Sequence, residues 1–190
     1  MVLSDRDIRR RIAYKNDPAY SIGIDPFDDD RIQPSSIDLT LANEWRVYPK
    51  SPFSLTDETI DIDFAREVQT QKIVADEYTL QPQELVLFST AEYIEVGTTL
   101  CARIEGRSSL GRLGLLVHCT AGFIDPGFRG KITLEMVNLN NRPITLHAGK
   151  SICQISFFGM TCPPEFPYGH AKLGSHYQNQ TEVTGSKYVG

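Results

Sequence analysis

The sequence predicts a mainly β fold, a barrel or sandwich, with a short helix at its N-terminus. Three observations carry this. Short runs alternate apolar and polar residues with a period of two, Gly and Pro turns punctuate them, and only the first dozen residues carry a helix-start pattern. The 190 residues, 41% hydrophobic with a mean hydropathy of −0.25, suit a single domain over 1–190 with a substantial core rather than a disordered chain.

The helix comes first. Ser4 stands at the cap position, Asp7 follows three residues later in capping-box position, Leu3 can staple onto Ile8, and Ile12 continues the apolar stripe. Arg9-Arg10-Arg11 then reads as a solvated helix face rather than a phosphate patch. Strands follow where Ile37, Leu39 and Leu41 alternate with Asp38 and Thr40, and where Ile60 and Ile62 alternate with Asp61 and Asp63. Leu85-Val-Leu-Phe88 is a continuous apolar run, and Ile132, Leu134 and Met136 alternate again. Gln81-Pro-Gln-Glu-Leu85 and Leu146-His-Ala-Gly-Lys150 read as hairpin turns, and the polar stretch from Thr56 to Glu77 as a surface excursion. From Gly169 to Gly190 polar residues and glycines outnumber aliphatic ones. Such a tail is either disordered or a mobile lid that orders over a ligand.

Composition narrows the function classes. Nineteen basic against 24 acidic residues give a charge of −5 and a pI near 5.4, which argues against general binding to nucleic acid or membrane. No apolar run approaches the roughly 18 residues of a membrane helix. The first residues turn polar at once, without a signal-peptide core, so a cytoplasmic location is expected. Cys101, Cys119, Cys153 and Cys162 are scattered with no Cys-x-x-Cys pair, which reads as buried, reduced thiols rather than a disulfide frame or a zinc site.

Three stretches carry the chemistry. Gly106-Arg-Ser-Ser-Leu-Gly-Arg-Leu-Gly114 packs Arg107, Arg112 and two serines around a junction where Ser108 or Ser109 can cap a short helix. Backbone amides and guanidinium groups there would cradle an anion such as phosphate, although a plain loop-to-helix junction has the same look. In Thr120-Ala-Gly-Phe-Ile-Asp-Pro-Gly-Phe-Arg-Gly130, Pro126-Gly127 fits a type II turn that presents Asp125 as one strand ends and Phe128 as the next begins. In Lys131–Asn138, Ile132, Leu134 and Met136 share one strand face and Thr133, Glu135 and Val137 the other. A carboxylate at 135 is either solvated on an outer face or held in a pocket where it can shuttle protons.

Taken in order, these segments resemble the dCTP deaminase branch of the dUTPase-like superfamily. Gln33-Pro-Ser-Ser-Ile-Asp-Leu39, Gly106–Gly114, Ile124-Asp-Pro-Gly-Phe128, Ile132-Thr-Leu-Glu135, Ile152-Cys-Gln154 and Tyr177-Gln-Asn-Gln180 all fit the family pattern, over nearly the whole chain. The resemblance implies a distorted β-barrel of the β-clip kind with few further short helices, assembled as a homotrimer with active sites between neighbours. It implies that Arg107, Ser108, Ser109, Leu110, Gly111 and Arg112 hold a triphosphate carrying Mg²⁺, that Asp125 contacts the deoxyribose, and that Phe128 crowds the place of a ribose 2′-hydroxyl. Thr133, Leu134 and Glu135 then face the base. Gln154, Tyr168 and Gln180 complete the nucleotide site, the last two through closure of residues 169–190 as a lid. Glu135 is the implied acid/base, helped by Ser108 and Arg112.

Zinc deaminases need a His-x-Glu and a Pro-Cys-x-x-Cys, whereas this chain offers His118-Cys-Thr, so deamination is expected to run without zinc at the base. Where the dUTP-releasing branch carries His-Arg after Thr-Ala, this chain has Gly122-Phe123. That resembles the bifunctional branch converting dCTP to dUMP, ammonia and pyrophosphate; the alternative is a monofunctional deaminase releasing dUTP. A plain dUTPase, a nucleotide sensor and a ligand-free structural trimer fit less well, given Glu135 and the intact Arg/Ser loop. dTTP is the feedback inhibitor the family implies, with His118 a participant. His176 stands where the family usually has Lys, and a neutral imidazole contributes less than an ammonium to a phosphate contact.

Overall fold

The computed structural model describes residues 1–14, 16–49, 62 and 68–188. Of the Ile60–Asp63 alternation only Ile62 is among them, 64% exposed; the rest, with half of the stretch from Thr56 to Glu77, lies outside the described residues. Helix α1 (Asp5–Ala13) starts as its sequence dictates. Ser4 Oγ accepts from the Asp7 N–H at 3.4 Å and donates to the Asp7 carboxylate at 3.1 Å, and Ile8 is fully buried. The arginine run is a face of ion pairs rather than an anion site. Arg9 pairs with Asp5 and Asp29, Arg10 with Asp7, and Arg11 donates to the Tyr20 carbonyl while lying 4.0 Å over that ring.

The rest of the described chain is mainly strand: β1 (Ile22–Asp25), β2 (Ile32–Gln33), β3 (Ser36–Val47), β4 (Gln71–Val74), β5 (Glu77–Leu80), β6 (Leu85–Val96), β7 (Leu100–Gly106), β8 (Leu115–Leu116), β9 (Phe123–Ile124), β10 (Arg129–Asn138), β11 (Ile144–His147) and β12 (Ser151–Gly159), with a single-turn helix α2 (Ser108–Gly111) after β7. Ten strands form one curled sheet of order β8-β10-β6-β3-β12-β7-β9, with β1 on β6 and β2 and β4 on β3; β11 and β5 pair separately. Strand β3 makes the corner. Its first half pairs with β2 and β12, its second with β4 and β6, and the register slips between Leu41 and Trp45. Inside the curl Trp45 stacks edge-on against Phe88 at 4.7 Å, both fully buried. Among the described residues no helix is long and apolar enough to cross a membrane.

Two expectations change here. Gln81–Glu84 and His147–Lys150 are indeed tight turns, closed by Glu84 N–H to Gln81 O and Lys150 N–H to His147 O. Neither makes a hairpin, because β5 and β11 pair with each other while β6 and β12 enter the large sheet; the turns switch sheets. Asp38 and Thr40, polar partners in the β3 alternation, are buried as deeply as their apolar neighbours. Thr40 meets a buried acid, Glu92, whose carboxylate accepts from Thr40 N–H (2.9 Å), Thr40 Oγ1 (2.7 Å) and Arg31 (2.8 Å), while Asp38 pairs with Arg107 at 3.3 Å. Burying a charge is costly unless its oxygens are met this way.

Candidate active site

A β-bulge aims the central residues. Along β10 the register against β6 slips between Lys131 and Thr133, and the freed Ile132 N–H donates to Thr90 Oγ1 at 3.0 Å. Beyond the bulge Leu134 and Met136 point into the core with no exposure, which leaves Thr133 and Glu135 on the other face, lining a cavity of about 420 Å³. Leu134 therefore offers a ligand only its backbone, not its side chain. The turn expected at Pro126-Gly127 is present: Phe128 N–H donates to Asp125 O, and Gly127 sits at φ +90°, which a side chain rarely tolerates. It sets Asp125 and Phe128 in the lining of the same cavity, where Phe128 packs on Tyr168 with ring centroids 5.7 Å apart.

Tyr48, which the sequence did not single out, lines the same cavity. Burial, reinforced by the charge of Glu135, pushes its phenol up; burial does the same to Tyr168. Both rings stay neutral at working pH. Cys119 Sγ donates to the Glu135 carbonyl at 3.5 Å. It and Cys162 are exposed, so only Cys153 is the buried thiol expected of all four cysteines.

The tail lies across this cavity on its own subunit. Asn179 and Gln180 run beside the start of β10, with Asn179 N–H to Arg129 O and Lys131 N–H to Gln180 O. Tyr168 Oη accepts from Tyr177 N–H at 3.2 Å, Gln178 reaches Gly127 O, and Val183 is fully buried with its carbonyl held by Arg46 at 2.7 Å. Exposed His176 accepts from Lys187 Nζ on its backbone carbonyl at 3.0 Å, and that ammonium lies 5.3 Å from the centroid of the Tyr177 ring.

The phosphate-loop residues are elsewhere. Arg107, Ser108, Ser109 and Gln154 line a second groove of about 380 Å³ with Gln33, Ser36 and Asp38, and it shares no residue with the cavity of Glu135. Ser108 begins α2 rather than capping it; Arg107 is the cap residue and makes no side-chain cap bond. Leu110 packs against the core, while Gly111 and Arg112 line neither hollow. Two residues that the sequence left without a role hold this groove in shape. Asp38 pairs with Arg107 at 3.3 Å, and Ser36 donates to Gln154 Oε1 at 3.0 Å while Gln154 donates to Gly106 O. Within one chain, then, the predicted site comes in two halves.

Gly122 is required by close approach. A Cβ there would stand 2.9 Å from the Ile104 carbonyl and 2.9 Å from His118 Cε1. Gly122→Ala is expected to cost about 1–3 kcal/mol, since a carbonyl in a paired strand cannot yield as a side-chain tip can. Chemical denaturation checks this, and an unchanged midpoint would mean that the loop relaxes freely.

The model of the dCTP deaminase-like family matches residues 2–160, and the chain belongs to that family. Among curated relatives, the "dCTP deaminase, dUMP-forming" of Corynebacterium glutamicum is 48% identical over 189 residues, 98% of this chain and 96% of that protein. The protein of the same name from Mycobacterium tuberculosis is 46% identical over 187 residues, 98% and 95% of the two chains. Among solved structures, 2′-deoxycytidine 5′-triphosphate deaminase from Agrobacterium tumefaciens superposes with a TM-score of 0.61 at 23% identity. It covers 82% of this chain and 47% of that longer one, a likeness of fold.

Proposed function

We propose that the chain is a bifunctional dCTP deaminase that carries dCTP to dUMP, ammonia and pyrophosphate. The carrying observation is the cavity where Glu135, Thr133 and Asp125 meet beneath Tyr168 and Gln180; dUMP-forming relatives at 45–48% identity support the reading. Glu135 takes a proton from water as its oxygen adds to C4 of cytosine, and N3 receives that proton. A second transfer through Glu135 protonates the amino group, the C4–N bond breaks, and ammonia leaves uracil behind. Asp125 holds the deoxyribose, and Phe128, braced on Tyr168, fills the space a 2′-hydroxyl would need. A second water then attacks the α-phosphorus near Asp125, and pyrophosphate departs. Chromatographic identification of dUMP from dCTP tests this; product that accumulates as dUTP overturns the bifunctional part.

The separation of the two halves favours an assembly in which one copy's Arg107, Ser108, Ser109 and Gln154 meet the next copy's cavity. Such a head-to-tail contact closes as a ring, and a homotrimer is the ring we propose. An apolar patch that the described residues leave uncovered supports it: Leu85, Val137 and Leu116 are direct cross-strand neighbours, with exposed Leu113 and Leu139 beside them. Ser108 and Arg112 would then reach Glu135 only from a neighbour. The groove offers guanidinium and hydroxyl donors, and its one carboxylate, Asp38, is engaged by Arg107. That donor set suits a triphosphate that brings its own Mg²⁺, the ion neutralising phosphate charge while Arg107 and the serines bind the oxygens. dTTP would compete at the same cavity.

The tail acts in this reading as the lid. Truncation after Gly174 removes Tyr177, Gln180 and Thr184 from the cavity and should lower turnover of dCTP by about 100-fold or more, because substrate placement is lost. The β-sheet remains, read by circular dichroism. Full turnover in the truncated protein would remove the tail from the mechanism.

A further inference from the structure

We infer that Thr184 is a positioning residue which, through Gln180, turns the Thr133 hydroxyl into a fixed hydrogen-bond donor for the 2-keto oxygen of the pyrimidine. The inference rests on the nucleotide reading above. The Lys131 carbonyl can only accept, so the Gln180 head-group atom 2.7 Å from it is the amide nitrogen. The second hydrogen of that nitrogen goes to Thr133 Oγ1 at 2.9 Å. The amide oxygen is left facing Thr184, whose hydroxyl donates to it at 3.0 Å. Every bond in the row thereby has one direction, Thr184 to Gln180 to Thr133. Thr133 Oγ1 accepts from the amide, so its own hydrogen turns elsewhere, and the side chain lines the cavity beside Glu135.

Thr184 is held well enough to do this. The residue before it, Val183, is fully buried and its carbonyl accepts from Arg46 at 2.7 Å. All three residues of the row line the cavity. If one cavity holds cytosine before deamination and uracil after it, a fixed donor must meet an acceptor that both bases carry. They differ at N3, an acceptor in one and a donor in the other, and at C4. They share the 2-keto oxygen.

The test compares Thr184→Val, which keeps shape and loses the hydroxyl, with Thr184→Ser, which keeps the donor. For dCTP, Thr184→Val should lower kcat/KM by about tenfold, carried by KM, and Thr184→Ser should restore it. The inhibition constant of an abasic deoxyribose triphosphate, which lacks the keto oxygen, should stay within about twofold in both. In a double-mutant cycle, adding Thr184→Val to Thr133→Val should cost nothing further, since the first acts only through the second. An equal weakening of dCTP and the abasic triphosphate would reduce Thr184 to an anchor of the tail and overturn the inference, as would additive losses in the cycle or an unchanged KM. A wild-type protein that ignores dCTP altogether would instead overturn the functional reading, a distinct result.

Discussion

Glu135→Gln should lower ammonia release from dCTP by at least about 10²–10⁴-fold, the range for loss of one general acid/base, and by more if the carboxylate serves both proton transfers. The substitution keeps the size of the side chain on a strand whose neighbours Leu134 and Met136 fill the core, so the fold is not at stake. Hydrolysis of dUTP uses a different water, near Asp125, and should survive at least in part. Asp125→Asn should damage both activities, because sugar placement precedes either attack. The measurement is a paired assay on wild type and both variants, ammonia from dCTP and pyrophosphate from dUTP. Ammonia released by Glu135→Gln at the wild-type rate would remove Glu135 from the chemistry. A wild type that converts dCTP to dUTP and stops would leave the deaminase in place and take away the second step.

What could be read from the sequence depended on how local its cause was. The Ser4 cap, the buried face of Leu134 and Met136, and the Gly127 turn rest on neighbours within a few positions, and each is present; Ile132, expected on that face, is turned by the bulge to line the cavity with Thr133 and Glu135. Asp38 and Thr40 stood out only as the polar members of an alternation, because their partners are remote. Arg107 lies 69 residues along from Asp38 and Glu92 lies 52 from Thr40, and only the folded sheet brings them together. The turns at Gln81 and His147 were recognisable by their chemistry, yet which strands they join is decided by long-range pairing of β5 with β11. In the site, the strand pattern left Glu135 between an outer face and a pocket, and the family resemblance made it the acid/base. Nothing local marks Tyr48 or Thr184, whose parts arise only when the tail and the first strands fold against β10, and the motif that contains Ser36 does not tell of its bond to Gln154. The exposure of Cys119 and Cys162 was equally unreadable, since scattered spacing excludes a frame but says nothing of burial.

The division of the site into two hollows leads to the other large effect. Arg107→Ala should abolish most turnover by removing the guanidinium that lines the phosphate groove, and Glu135→Gln should abolish deamination from the cavity side. If each working site takes its groove from one copy and its cavity from the next, the two inactive variants should complement. Dissociated, mixed in equal amounts and reassembled, a trimer has its subunits at random, and about one site in four receives an intact groove and an intact cavity. Deamination should therefore recover to about a quarter of the wild-type rate, from two parents that each show almost none. Coexpression with distinct tags, with isolation of mixed assemblies, removes the parental trimers and should show about one intact site in three, without unfolding. The wild-type subunit held as a monomer should be inactive, because its groove and its cavity do not share a wall. Mixed assemblies as inactive as their parents would mean that both halves must come from one chain. The tail would then have to bring them together within a subunit, and the proposed division of labour between neighbours would be wrong.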